Sequence, residues 1–133
     1  MITVSNTINA SIEKVWEFWT TPEHITKWNN ASPDWYTPFA KNDLVEGKRF
    51  KYTMSAKDGS MSFDFEGTYT TIEKQAKIEY ILDDDRKVQI NFEKTENGTK
   101  IIESFDPENE NTEELQKNGW QAILDNFKKY VEL

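Results

Sequence analysis

Apolar residues near the start of the chain first alternate with polar residues and then recur at helical spacing. This change of period predicts a first strand followed by a short helix. The alternating residues are Ile2, Val4 and Ile8, and the helical ones are Ile12, Val15, Trp16 and Trp19. Thr21-Pro22-Glu23 then predicts a second short helix ending near Trp28, because Thr21 can cap it and Pro22 suits its first position.

Residues 29–38 are rich in Asn, Ser, Pro and Asp, which predicts a loop carrying Trp35 and Tyr36. Beyond it, alternating runs are separated by the turn signals Asp58-Gly59, Asp83-Asp84-Asp85 and Asn97-Gly98. Such runs predict consecutive hairpins, and therefore an antiparallel meander. The alternating residues are Phe50, Tyr52, Met54, Met61, Phe63, Phe65, Ile78, Tyr80, Leu82, Val88, Ile90, Phe92, Ile101 and Phe105.

Apolar residues from Leu115 to Val131 return to helical spacing after an acidic and polar segment at residues 108–113. They predict a long amphipathic C-terminal helix. Gly119 lies inside this helix, where glycine costs about 1 kcal/mol relative to alanine. Two interpretations remain open: a sheet aromatic packs tightly against Gly119, or Gly119 leaves room for a ligand.

This order of elements predicts an α+β fold in which the last helix covers one face of an antiparallel sheet. The sequence shows neither an internal repeat nor a linker, so residues 1–133 are expected to form one domain. Aromatic side chains dominate the covered face of the sheet. Bulky rings on a curved sheet often leave a gap that a ligand or other side chains must fill.

The composition narrows the function. Acidic residues outnumber basic ones, giving a net charge of −8, which repels phosphate backbones and anionic lipid headgroups. We therefore expect neither nucleic acid nor a membrane as partner, and the start of the sequence does not resemble a signal peptide. We expect a cytoplasmic protein that is a monomer or a weak dimer. The absence of cysteine excludes disulfides, thiolate nucleophiles and cysteine-ligated zinc.

Residues suited to catalysis or metal binding are few. The single histidine, His24, lies in the second short helix, where an exposed or capping role is expected. Asp83-Asp84-Asp85 lacks the ligand spacing of a calcium loop, so we interpret it as a solvated turn. The glycines are too widely spaced to cradle a phosphate. We therefore expect no cofactor, no metal and no enzymatic activity.

Several motifs resemble the START-like (SRPBCC) superfamily, in the branch related to activators of the heat-shock-chaperone ATPase. The motifs are Ala10-Ser11-Ile12-Glu13-Lys14-Val15-Trp16, Thr21-Pro22-Glu23-His24 with Trp28, Gly47 before Phe50, Asp58-Gly59, Gly67-Thr68-Tyr69, and Gly119-Trp120 with Leu124. The resemblance covers essentially the whole chain. It implies the helix-grip fold of the birch-pollen allergen, with an apolar cavity between sheet and final helix. In some members that cavity binds lipids, polyketides or other apolar molecules.

Three functions follow as hypotheses: a binding domain for an apolar small molecule, a protein-interaction module acting on a chaperone, and a cyclase or hydrolase working in the cavity. Glu103 is the one acidic residue whose strand parity directs it into the cavity, where it could anchor the polar end of a ligand. A bulge that turns Ile102 inward, or a tyrosine hydroxyl that satisfies the acid, would remove it from this role. The predicted ligand-binding residues are Trp35, Tyr36, Phe50, Tyr52, Phe63, Phe65, Tyr80, Ile90, Phe92, Glu103, Gly119, Trp120 and Ile123.

Overall fold

The computed structural model describes residues 1–133, the whole sequence, as seven strands and three helices. In chain order these are β1 (Ile2–Ile8), α1 (Ile12–Thr20), α2 (Pro22–Trp28), β2 (Trp35–Asn42), β3 (Arg49–Ala56), β4 (Ser62–Glu73), β5 (Lys77–Leu82), β6 (Lys87–Thr95), β7 (Gly98–Phe105) and α3 (Glu113–Val131). None of the helices combines the length and the apolar character that a membrane crossing requires.

Side-chain caps fix the start of two helices. The Ser11 hydroxyl accepts the backbone N–H of Lys14 at the start of α1, and the Thr112 hydroxyl accepts that of Leu115 at the start of α3. Thr21 stands at the cap position of α2, but its side chain makes no capping hydrogen bond, contrary to the prediction. Pro22 at the first helical position already removes one of the N–H groups that would need a partner.

All strands belong to one antiparallel sheet with the order β1-β7-β6-β5-β4-β3-β2. Strands β2 to β6 each pair with the next strand along the chain, so the predicted meander is confirmed. Strand β1 lies at the other edge of the sheet and pairs with β7, with Ile2 opposite Phe105 and Ile8 opposite Thr99. With α3 beneath the curved sheet and two short helices after β1, the predicted α+β helix-grip fold is confirmed.

Strand β2 corrects the prediction of a loop at residues 29–38. Trp35 to Pro38 form the first half of this strand, which lies at one edge of the sheet. The pairing register with β3 shifts between Tyr36 and Phe39, and Pro38 falls inside that shift. Proline cannot donate to a strand ladder, so edges and bulges are the places where a strand tolerates it. The turn-forming composition was therefore a misleading signal here.

The core lies between the inner face of the sheet and the helices. From α3 it contains Leu124, Phe127 and Val131, all almost fully buried. This helix approaches β1, α1 and α2 closely, whereas β3, β4 and β5 curve away from it. The aromatic side chains of these three strands extend into the resulting gap without filling it.

Candidate functional site

A cavity of about 330 Å³ lies between α3 and the strands that curve away from it. Its volume falls near the lower end of the range of roughly 300–1,000 Å³ that is common for small-molecule sites. Of its 22 lining residues, 14 are hydrophobic. The aromatic residues in its wall are Trp19, Trp28, Tyr52, Phe63, Phe65, Tyr69, Tyr80 and Trp120.

Gly119 contributes empty space to this cavity. A methyl group built on Gly119 would meet no atom within 4 Å outside its own helix and immediate neighbours, and the residue lines the cavity. The tight-packing interpretation of Gly119 is therefore wrong: no sheet aromatic presses against it. A larger side chain at this position would project into the space that a ligand would occupy.

Trp120, the next residue along α3, forms a fixed wall of the cavity. Its indole stacks on Phe105 of β7, with ring centroids 3.9 Å apart and planes inclined by 11°. Its edge also meets Phe65 of β4, at a centroid distance of 6.0 Å. Aromatic pairs of this kind contribute about 0.5–1.5 kcal/mol beyond the burial of their surface. Trp120 therefore links the helix to the sheet where Gly119 leaves them apart.

Glu103 places a carboxyl group in the cavity wall. It lies on β7 between Val4 of β1 and Ile90 of β6, and neither pairing shifts register along this strand. Only 6% of Glu103 is exposed, and the cavity is the open space beside it. The bulge that would have turned Ile102 inward is absent, so the parity of the sequence pattern gives the correct orientation.

The Glu103 carboxyl has no hydrogen-bond partner in the protein, so a tyrosine hydroxyl does not satisfy it either. Every side-chain polar atom that is fully enclosed in the protein has a hydrogen-bond partner. The unpartnered Glu103 oxygens are therefore not fully enclosed. Loss of hydration on burial raises the pKa of Glu103 from 4.5 to about 8. At neutral pH this group is mainly a protonated carboxylic acid, which can donate one hydrogen bond and accept others.

Three tyrosines add hydroxyl groups to the cavity wall near Glu103. They are Tyr52, Tyr69 and Tyr80, from β3, β4 and β5. Burial raises the pKa of each hydroxyl, and the nearby Glu103 carboxylate raises those of Tyr52 and Tyr80 further. These phenols remain neutral at physiological pH. They provide hydrogen-bonding groups without adding charge.

The mouth of the cavity is formed by Phe63 of β4 and Leu115 of α3, whose residues are 47% and 58% exposed. Arg86 and Glu108 also line the cavity, from the β5–β6 turn and the segment before α3. Gln116 holds that segment in place, because its side-chain amide donates to the carbonyls of Glu108 and Asn111 and accepts the N–H of Glu108.

Nine of the thirteen predicted ligand-binding residues line the cavity: Tyr52, Phe63, Phe65, Tyr80, Ile90, Glu103, Gly119, Trp120 and Ile123. The other four do not. Tyr36 is exposed because alternation on β2 turns Thr37 inward instead, and Trp35 packs beside Phe63, 5.9 Å between ring centroids. These two positions correct the sequence interpretation.

Phe50 and Phe92 are also outside the cavity, since both are buried in the solid core. Phe50 lies under the tyrosine cluster, with its ring centroid 4.6 Å from that of Tyr80. Phe92 packs under α1 against Trp16 and Trp19. Residues on the inner face of a sheet share their parity, so alternation alone cannot separate core positions from cavity positions.

Sequence reasoning missed several residues of the wall. Tyr69 continues the alternation of Phe63 and Phe65 along β4, so extending that run would have found it. Trp19 and Trp28 come from the two short helices, and their helical spacing indicated a core role only. Arg86 reaches the site from the β5–β6 turn and Gln116 from the first turn of α3, and no sequence signal predicted them.

The other groups considered for chemistry lie elsewhere. His24 stacks on Phe18 and shares a hydrogen bond of 2.7 Å with the Tyr130 hydroxyl, so it joins α2 to α1 and α3. Asp83 pairs with Arg49 at 2.8 Å, and Asp84 pairs with Arg86 at 2.7 Å. No group of His, Cys, Asp or Glu side chains is arranged to hold a metal ion.

Comparison with solved structures shows close similarity to two bacterial proteins. The solution structure of an AHSA1-like protein from Aeromonas hydrophila matches with a TM-score of 0.92 and 46% identity, over 98% of this chain and 91% of that one. A solution structure from Cytophaga hutchinsonii matches with a TM-score of 0.86 and 56% identity, over the same shares of 98% and 91%.

A crystal structure from Nitrosomonas europaea shares the fold at lower similarity, with a TM-score of 0.83 and 17% identity over 98% of this chain and 92% of that one. None of the functionally curated proteins matches the sequence. The family model described as "Activator of Hsp90 ATPase homolog 1-like protein" matches residues 9–132. With that match spanning nearly the whole fold, the chain belongs to the AHSA1-like family, a branch of the START-like superfamily.

Proposed function

We propose that this protein is a non-catalytic binding domain that holds one small, mainly apolar molecule in the cavity beneath α3. The observation that carries the proposal is the cavity itself, about 330 Å³ in volume, with a mainly hydrophobic wall. The unfilled position at Gly119 and the exposed apolar mouth at Phe63 and Leu115 support entry of a ligand. A domain that acted only through its surface would gain nothing from such a void, since empty cavities reduce stability.

The size of the cavity limits the ligand. A molecule of one or two fused rings, or a short aliphatic chain, would be accommodated, whereas a two-tailed phospholipid would exceed the space. Glu103 and the three tyrosines would bind one polar group of the ligand, and the aromatic side chains would contact its apolar body. The absence of a partnered base beside Glu103 supports binding without chemistry, because a general acid or base works within a positioned set of groups.

The experiment is to measure binding of prodan, a neutral naphthalene dye whose emission depends on polarity, to the wild-type protein and to two variants. Gly119→Leu projects its side chain into the cavity and should reduce dye affinity about tenfold or more, whereas the matched Gly119→Ala variant should bind nearly as well as wild type. Circular dichroism should show that both variants are folded. Equal binding by Gly119→Leu and wild type would rule out this cavity as the site.

Native mass spectrometry of freshly purified protein provides a second measurement. A ligand retained by the protein and recovered with unchanged mass after incubation would agree with a carrier or sensor. The appearance of a new product mass that depends on Glu103 would contradict the non-catalytic role and favour a cyclase or hydrolase.

A further inference from the structure

One of the ionisable side chains in the cavity wall has no partner within the protein. The charged residues in its wall are Arg86, Glu103 and Glu108. The Arg86 guanidinium already pairs with Asp84 at 2.7 Å, and the Glu108 carboxylate accepts the backbone N–H groups of Glu110 and Asn111 at 2.9 and 2.8 Å. Of these three residues, Glu103 is thus the one whose side chain makes no hydrogen bond or ion pair.

An unpartnered acid in an apolar wall determines which ligands fit. An ionised Glu103 would repel a ligand carboxylate, in a protein whose net charge is already −8, and a protonated Glu103 would offer it one hydrogen bond but no opposite charge. A hydrocarbon would seal the acid off from the remaining water in the cavity and leave it without any hydrogen bond. An ammonium group would supply both an opposite charge and three donors to the carboxylate.

The remainder of the wall is also suited to a cation. Tyr52, Phe65, Tyr80 and Trp120 present ring systems to the same cavity as Glu103. Aromatic faces attract organic cations, with contributions of about 0.5–2 kcal/mol per contact that increase as water is removed. None of the wall residues contributes an unpaired positive charge that would oppose a bound cation.

We propose that the cavity selects an apolar amine, whose ammonium group pairs with the Glu103 carboxylate while its hydrocarbon or aromatic body contacts the surrounding rings. This inference rests on the proposed function and specifies its ligand class. It assigns Glu103 as the residue that determines specificity. Once Glu103 is ionised, near and above pH 8, fatty acids and other apolar anions are disfavoured in the cavity by charge.

The ion pair predicts a particular dependence on pH. Glu103 is flanked on the sheet by Val4 and Ile90, which do not titrate, and shares the cavity with the neutral phenols of Tyr52, Tyr69 and Tyr80, while α3 contributes no titratable side chain to the wall. Arg86 and Glu108 also line the cavity, and the Arg86 charge partly offsets the rise in the pKa of Tyr80 that burial causes. Because the pKa of free Glu103 is about 8, an ammonium ligand must displace its proton below that pH. Amine affinity should therefore rise up to about pH 8 and fall again once the amine loses its own proton, near pH 10.

The test compares three probes of nearly equal shape: 2-(2-naphthyl)ethylamine, 2-(2-naphthyl)ethanol and 2-naphthylacetic acid. Calorimetric titration at pH 8 should give the tightest binding for the amine, by about tenfold over the alcohol, and the weakest for the acid. Repeating the amine titration at pH 7 in phosphate and in Tris should show release of close to one proton per amine bound.

Two carboxyl-to-amide variants locate the effect. Glu103→Gln should remove the preference for amine over alcohol, whereas Glu79→Gln, the same change on β5 outside the cavity, should retain it. Binding of all three probes with equal affinity, or amine binding without proton release by the wild-type protein, would overturn the amine assignment and leave the proposed function standing. Failure of every probe to bind would overturn the proposed function as well. The proton-release measurement uses only wild-type protein, so it remains decisive even if Glu103→Gln does not fold.

Discussion

Trp120 of α3 lies flat on Phe105 of β7, with 3.9 Å between the ring centroids. Phe105 is fully buried, so this stack attaches the middle of the helix to the centre of the core. The next residue toward the N-terminus, Gly119, has no such contact. One helical step thus separates the position that holds the helix to the sheet from the position that leaves a cavity between them.

Trp120→Ala should therefore destabilise the fold strongly. We expect the free energy of unfolding to fall by about 2–4 kcal/mol, because a half-buried indole and its stacking contact are both lost. Urea denaturation followed by circular dichroism measures this change. Leu115→Ala, on the same helix but largely exposed, serves as the control and should cost less than about 1 kcal/mol. Similar losses in the two variants would mean that the stack does not stabilise the helix.

Gly119→Ala should instead stabilise the fold. Alanine is favoured over glycine in a helix by about 0.8–1 kcal/mol, and the added methyl group meets open space. The free energy of unfolding should rise by roughly that amount, measured as a higher urea midpoint at unchanged slope. A loss of stability would indicate that the sheet closes on this position in solution.

Glu103 should make stability depend on pH. The folded protein holds this proton up to about pH 8, whereas the unfolded chain releases it near 4.5, so the folded state binds more protons between these values. Ionisation of Glu103 does not affect the stability of the fold below pH 4.5. As the pH rises toward 8, it destabilises the fold progressively, by up to about 1.4 kcal/mol per pH unit. Above pH 8 the penalty is constant.

Glu103→Gln removes this ionisation. The stability gained by the variant over wild type should therefore be small at pH 4 and reach roughly 3–5 kcal/mol by pH 8 to 9. Urea unfolding at a series of pH values measures the difference. Glu79→Gln makes the same chemical change on the outer face of β5, outside the cavity, and serves as the control. A difference between wild type and Glu103→Gln that does not vary with pH would contradict the burial of an unpartnered acid.

The domain is also expected to give little or no stimulation of a heat-shock chaperone's ATPase. The negative net charge is spread over the chain, and the arrangement that stands out is an internal cavity rather than a basic docking surface. A steady-state ATPase assay with increasing amounts of purified protein checks this expectation. Saturable stimulation by several fold, abolished by reversing surface charges, would favour an interaction module instead.

Much of the fold could be predicted because its elements carry strong periodic signals. The alternation from Phe50 to Phe105 and the helical spacing after Leu115 each correspond to an element in the structure. Glu103 could be oriented as well, since β7 is regular and its parity holds along its whole length. The motif resemblance placed these elements in the helix-grip arrangement.

The boundary between core and cavity could not be predicted. Phe50 and Phe65 have the same parity and lie on paired strands, yet one is enclosed under other rings and the other faces the void. The difference depends on how far each strand curves from α3, and this curvature is a property of the whole sheet. Pro38 obscured β2 for a different reason, because local propensity indicated a turn where tertiary pairing imposed an edge strand.

The same proline has a consequence for association between molecules. The outer side of β2 is one free edge of the sheet, and a regular free edge is a template on which another chain can add a strand. Pro38 offers no N–H to such a chain, and the register shift beside it bends the edge away from a straight ladder. An incoming strand could form hydrogen bonds on either side of Pro38 but not continuously across it. The irregularity that hid this strand in the sequence is therefore expected to hinder edge-to-edge pairing at this end of the sheet.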